Sequence, residues 1–286
     1  MSKKSIRQPA ALGFYASECR AERIEEYIRG FEVGAVPSKI VAGIVPHAGW
    51  IFSGAVAAKV FKCFREKRNP ATFILLGAIH RWGVLKNSVD AHGSWATPLG
   101  NVDVDEQVAL TLISSPDIHL VEDPRAHIDE HSLEVQLPYI KYFFPEAKIV
   151  PIAVVSDNKS ALFGQKIGEI AAQIDKEIVV IGTTDLTHYG DAYGFAPHGY
   201  GLEALKWLKE NDARMIDLAL RMKAEEIVEE AAKHSNACGS GALAAAVSAA
   251  RAMGVKKGLL VDYTTSFDVS REKKFFMGVG YAGIVF

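Results

Sequence analysis

Two short apolar runs, IVAGIV at 40–45 and TFILLGAI at 72–79, flank a helix-like stretch, SGAVAAKVFKCF, that begins at Ser53. That order constrains the chain more than any other feature. Runs this short, uncharged and rich in Val and Ile, read as strands covered on both faces. Two such strands joined by a helix form a βαβ unit, whose strands are parallel and whose crossover is right-handed. The alternation recurs in KIVPIAVV, SALFGQKIGEIAAQI and EIVVIGTT, at 148–184. The expectation is one α/β domain across residues 1–286, with a largely parallel sheet and helices on both faces.

The remaining segments fit that plan. An amphipathic helix is expected within 15–31, stopped by Gly30, and another over 106–114, and HSLEVQLPYIKYFF reads as a helix bent at Pro138. GLEALKWLKE and ARMIDLALRM read as two helices, AEEIVEEAAKH as a third, and an alanine-rich helix begins near Cys238. The strands GLLVDYTTSF and MGVGYAGIVF finish the chain. Hydrophobic residues make up 49% and the formal net charge is −2, so nothing electrostatic favours nucleic acid or a membrane surface as a partner. The uncharged run 40–58 is broken by Pro46, His47 and three glycines, which argues against a membrane span. The N-terminus shows no signal-peptide pattern. Three widely spaced cysteines, Cys19, Cys63 and Cys238, point to a reducing compartment and a cytoplasmic protein.

Chemistry gathers where the strands end. IVAGIVPH closes at His47, FILLGAIH at His80, and VVIGTTDLTH at Asp185 and His188. Functional groups in open α/β sheets sit just beyond the carboxyl ends of strands. One histidine there is more often structural; three strands ending alike point to a crevice. DEHS (129–132) would open a helix and aim His131 at the same place. SNACGSG (235–241) would set Cys238 in a helix's first turn, where backbone N–H groups favour the thiolate. His47, His80 and Cys238 together would offer two imidazoles and a soft anion to a transition metal, leaving positions open. His131, His188 and Asp185 would then supply acid–base function beside it. His92, His119, His127, His198 and His234 are expected to be solvated, and Cys19 and Cys63 to be core thiols. Tyr15, Trp50, Trp82 and Tyr189 stand near the motifs as candidate pocket walls, with core packing as their default.

The blocks RQPAALGFY, PHAGWIFSG, LGAIH, WATPLG, DEHSLEVQLPY, TDLTHYG and ACG, in this order, resemble the Memo family, called AmmeMemoRadiSam system protein B in bacteria and archaea. The family is similar to class III extradiol dioxygenases, which cleave catechol-type rings with non-haem Fe(II). That similarity implies a three-layer α/β/α domain with a mixed, mostly parallel sheet and a metal pocket at one sheet edge. It implies His47, His80 and Cys238 as ligands of Fe(II) or copper, with zinc ranked behind them. It assigns His188 as the acid–base histidine, with Asp185 and His131 lining the pocket. The dioxygenases carry a carboxylate where this chain has Cys238, and a thiolate is softer and more easily oxidised. Two readings follow: a dioxygenase-like oxidoreductase acting on a small molecule, or a metal-, peptide- or partner-binding protein using the inherited pocket. The family name also implies a pathway shared with an AMMECR-domain protein and a radical-SAM protein.

Overall fold

Short strands, most with apolar residues on both faces, build the frame. In chain order they are β1 (Ile6–Arg7), β2 (Ala42–Val45), β3 (Thr72–Gly77), β4 (Asn87–Val89), β5 (Ser94–Trp95) and β6 (Val102–Asp103). Then come β7 (Leu120–Glu122), β8 (Lys148–Ala153), β9 (Ile178–Thr183), β10 (His188–Tyr189), β11 (Leu259–Thr265) and β12 (Gly278–Val285). The structure is a computed structural model that describes residues 5–34, 36 and 39–286. The central sheet runs β10-β12-β2-β9-β3-β8-β4-β7, with β11 also pairing with β12. Its middle strands β2, β9, β3 and β8 are parallel, while β12 and β4 join them antiparallel. The expected α/β class with a mixed sheet is what the chain forms. β1, β5 and β6 make a separate small sheet.

Alternation along each strand separates two cores. Ile44, Ile74, Leu76, Val150, Ile152 and Val180 face one side, against the helices Ser160–Ala171, Leu202–Leu220, Ala224–His234 and Ser240–Ala252. Val45, Phe73, Leu75, Ile149, Val179 and Ile181 face the other, against the helices Trp50–Lys67 and Leu137–Phe143. With both faces covered, the central strands carry almost no polar residues. No helix among the described residues is long and apolar enough to cross a membrane.

Several local expectations change. The helix after β2 starts at Trp50, capped by Gly49, and Ser53 lies inside it with its hydroxyl donating to the Ala48 carbonyl. Pro138 sits in the first turn of its helix, where its missing N–H costs nothing, so it starts the helix rather than bending it. Residues 202–220 form one continuous helix, not two. The 15–31 segment holds helix only over Ala21–Ile28, after a short turn of helix at Leu12–Tyr15. His127, expected in solvent, is fully buried edge-on to Trp95.

Candidate metal centre

β2, β9 and β3 lie side by side and run parallel, so their carboxyl ends share one edge of the sheet. His47 follows β2 by two residues, Asp185 follows β9 by two, and His80 follows β3 by three. Neighbouring strand ends thus deliver three functional groups in a row. The other groups arrive on loops. His131 comes from the turn before the 3₁₀ segment Glu134–Gln136, and His188 opens β10. Cys238 arrives from the loop before the helix Ser240–Ala252. Gly239 makes that approach possible, because a Cβ there would lie 2.3 Å from the Thr183 carbonyl oxygen.

Among the described residues, two groups bring their ligand atoms within 4.8 Å of one another: His47, His80 and His131, and His47, Asp185 and Cys238. His47 belongs to both, while the triad His47, His80 and Cys238 is not itself one of them. In the second group the Cys238 sulfur is 3.2 Å from His47 Nε2, and Asp185 Oδ2 is 4.0 Å from it. In the first, the His47 ring centre lies 5.1 Å from that of His80 and 5.4 Å from that of His131. The structure therefore places His131, expected only to line the pocket, among the imidazoles that could hold an ion.

Hydrogen bonds orient these rings. His188 Nδ1 lies 3.0 Å from the Leu186 carbonyl and His80 Nδ1 lies 3.1 Å from Glu130 Oε1. A carbonyl and a carboxylate accept only, so both rings carry their hydrogen on Nδ1 and turn Nε2 outward. His47 Nδ1 is 3.1 Å from the Thr183 hydroxyl, which likewise leaves its Nε2 to face Cys238. Such outer partners are a recurring property of metal-binding histidines.

Burial dominates the electrostatics. It pushes His47 well below the usual imidazole range, with the nearby His80 and His131 adding to the effect, and lowers His131 to about 4. His188 is lowered by burial too. Burial would also lower His80, but the hydrogen bond and charge of Glu130 reverse the outcome and raise it. Asp185 rises to about 7 through burial, although the His47 and Ala48 N–H groups bond to its carboxylate. Cys238 corrects the sequence reading. It precedes the helix instead of lying in its first turn, and although the residue is exposed its sulfur is crowded by His47 and Asp185. Burial, and then Asp185, push the thiol up, so a metal would have to displace its proton. Three imidazoles, two of them lowered by burial, and one thiol form a donor set that suits a transition metal better than calcium or magnesium.

A protein-family model described as Memo-like protein matches residues 7–285. The chain belongs to the Memo-like family. A MEMO1 family protein of Thermococcus onnurineus is 38% identical over 98% of this chain and 99% of its own length. One from Pyrococcus abyssi is 36% identical over 98% and 99%. The crystal structure of an uncharacterized protein, JW3007, from Escherichia coli K12 matches with a TM-score of 0.50 at 11% identity. It covers 86% of this chain and 99% of that one, and it bears on the fold alone.

In this Memo-like chain a cavity of about 490 Å³ opens beside these two groups, lined by His47, His80, His131, Asp185 and His188. Its walls are Phe14, Phe52, Tyr193, Phe267 and Met277. Of the aromatics considered from sequence, Tyr15, Trp50 and Tyr189 are core residues and Trp82 is fully exposed. Phe14 stacks on the His131 ring at 4.2 Å. Its segment is held by Glu134, which accepts hydrogen bonds from Arg7, the Ala10 and Ala11 backbone and Tyr15. Sequence reasoning missed Phe14, Thr183 and Glu130. Only Glu130 carried a signal, as an acid between two histidine-bearing positions in a polar loop.

Proposed function

We propose that this Memo-like protein is a metalloprotein that holds Fe(II) or copper at the His47-centred cluster and acts as an oxidoreductase on a small molecule in the adjoining cavity. One observation carries the reading: donors from five separate segments converge around His47, and four of them, His47, His80, His131 and Asp185, line one walled cavity. His47 would be the common ligand, joined by His80 and His131 on one side or by Asp185 and Cys238 on the other. The bound metal would supply Lewis acidity and electron transfer. His188, lowered by burial and with Nδ1 tied to Leu186, would take a proton from a substrate hydroxyl at Nε2. Asp185, near 7, is suited to hold or release one. Phe14, Phe52 and Phe267 would exclude water and favour a flat, apolar body. Zinc with hydrolytic chemistry is the third option.

The second reading is a protein that binds a metal, a peptide or a partner without turnover. Cys238 favours it, since a readily oxidised thiol stands where the ring-cleaving dioxygenases carry a carboxylate. Among the described residues that line the cavity there is no Lys or Arg, which argues against a phosphate-bearing ligand. A cytoplasmic location and a pathway shared with an AMMECR-domain protein and a radical-SAM protein belong to the same proposal.

Anaerobic purification, metal analysis and titration with Fe(II) and Cu(I) test the metal. His47→Ala should abolish binding, since it removes the common ligand. His80→Ala and Cys238→Ser then report which group holds the ion. Wild type that binds neither metal, or a His47→Ala variant that binds as well as wild type, overturns the reading. Oxygen uptake by the loaded protein with a panel of catechols supports turnover; silence supports the binding reading.

A further inference from the structure

Glu130 is 3% exposed, and no Lys or Arg side chain reaches its carboxylate among the described residues. Arg7 bonds only its backbone oxygen. Burying an ionised carboxylate without a permanent cation costs several kcal/mol before its hydrogen bonds are counted (about that much in real proteins). Core stability gives no reason to retain it, so its partners have to. Oε2 accepts from the His80 backbone N–H at 2.7 Å. Oε1 accepts from the Ser132 N–H at 2.8 Å and from His80 Nδ1 at 3.1 Å, with His131 Nδ1 at 3.6 Å. All of these donors belong to two imidazole-bearing loops. Asp129, just before it, adopts a left-handed conformation (φ 61°), which turns the chain so that Glu130 enters the site.

We propose that Glu130 is the positioning residue of the metal centre: it holds His80 by its backbone and by Nδ1–H, so that Nε2 is the atom presented to the metal. The inference rests on the metal reading above. Glu130 touches neither metal nor substrate. It also ties the His80 loop to the His131 loop, whose rings stack with centres 4.6 Å apart.

Glu130→Gln tests this sharply, because an amide has one acceptor where the carboxylate uses two. If the amide oxygen serves Ser132 and Nδ1, its NH2 confronts the His80 N–H. If the oxygen serves the His80 N–H, its NH2 donates toward Nδ1 and drives the ring hydrogen to Nε2, blocking the ligand atom. Two measurements are made on the full chain. Long-range ¹H–¹⁵N NMR of the metal-free protein, at alkaline pH where the ring is neutral, reads the His80 tautomer. Titration with Co(II) alone reads affinity through its visible spectrum. Wild type should show the Nδ1–H tautomer, and Glu130→Gln should shift it to Nε2–H with Co(II) affinity reduced about 10–100-fold. A folded Glu130→Gln with wild-type tautomer and affinity overturns the inference. So does wild-type protein with hydrogen on His80 Nε2, a result that needs no variant. Wild type that takes up none of Co(II), Fe(II) and Cu(I) overturns the underlying metal reading, which separates the two failures.

Discussion

Asp212 is fully buried in the helix Leu202–Leu220 and accepts hydrogen bonds from the Thr187 N–H at 2.9 Å and the Tyr263 hydroxyl at 2.7 Å. Neither partner carries charge, so burial prevails and raises its carboxyl to about 6. Because the folded value exceeds the unfolded one, proton binding favours the fold. That stabilisation is complete below about pH 4 and is lost as pH rises through 6, on the order of 3 kcal/mol for two units. Asp212→Asn keeps an acceptor for Thr187 and gains a donor for Tyr263, so the pH slope should flatten. Denaturant midpoints at pH 4 and pH 7 decide it, and parallel slopes in variant and wild type would count against it. Thr187 precedes His188, so the same carboxylate also steadies the loop that carries the proposed base. Sequence could not disclose Asp212 or Glu130, because each is defined by partners about 25 or 50 residues away. His47, His80 and Asp185 were legible because the end of an apolar strand is a local signal. Cys238 was legible as a candidate, but its acidity was read with the wrong sign: a helix N-terminus shows in sequence, and burial does not.

The closest helix pairing is that of Ser160–Ala171 with Ser240–Ala252. A Cβ on Gly164 would lie 2.0 Å from the Ala245 carbonyl oxygen, and one on Gly168 would lie 2.4 Å from that of Ala249. Two effects oppose each other in Gly164→Ala. Helix propensity alone favours alanine by about 1 kcal/mol. Overpacking costs about 1–3 kcal/mol, and here the obstacle is backbone, which cannot swing aside. With a backbone oxygen only 2.0 Å away the upper end of that cost applies, and Gly164→Ala should lower stability by about 2 kcal/mol. Chemical denaturation checks it, and a variant as stable as wild type would show that the helices separate freely. Element types were largely legible here, since period and length distinguish strand from helix. Boundaries were less so. Ser53 looked like a cap, but Gly49 two residues after His47 already turns the chain into helix. The split of 202–220 into two helices followed its polar middle, where Asn211 and Asp212 are in fact buried against Thr187.

At the scale of the molecule, the sheet order makes the site. β9 lies between β2 and β3, and β12, from the chain's end, closes on β2 through Ile284 and Ile44. That order joins residues more than a hundred positions apart, and periodicity carries no information about register across such distances. The parallel centre was legible from the repeated strand–helix alternation; the antiparallel insertion of β12 and β4 was not. One consequence is thermodynamic. The candidate ligands span positions 47 to 238, so the unfolded chain cannot gather them, and a metal bound only by the folded state would stabilise it by mass action. At a free concentration about a hundred times Kd the gain is about 2.7 kcal/mol, which should raise Tm by roughly 5 °C or more in a chain this size. Anaerobic calorimetry with Fe(II) or Cu(I) should show that rise, and a chelator should reverse it. His47→Ala should melt at one temperature with or without metal, since His47 belongs to both ligand groups. A metal-dependent rise of equal size in His47→Ala would place the ion elsewhere on the molecule.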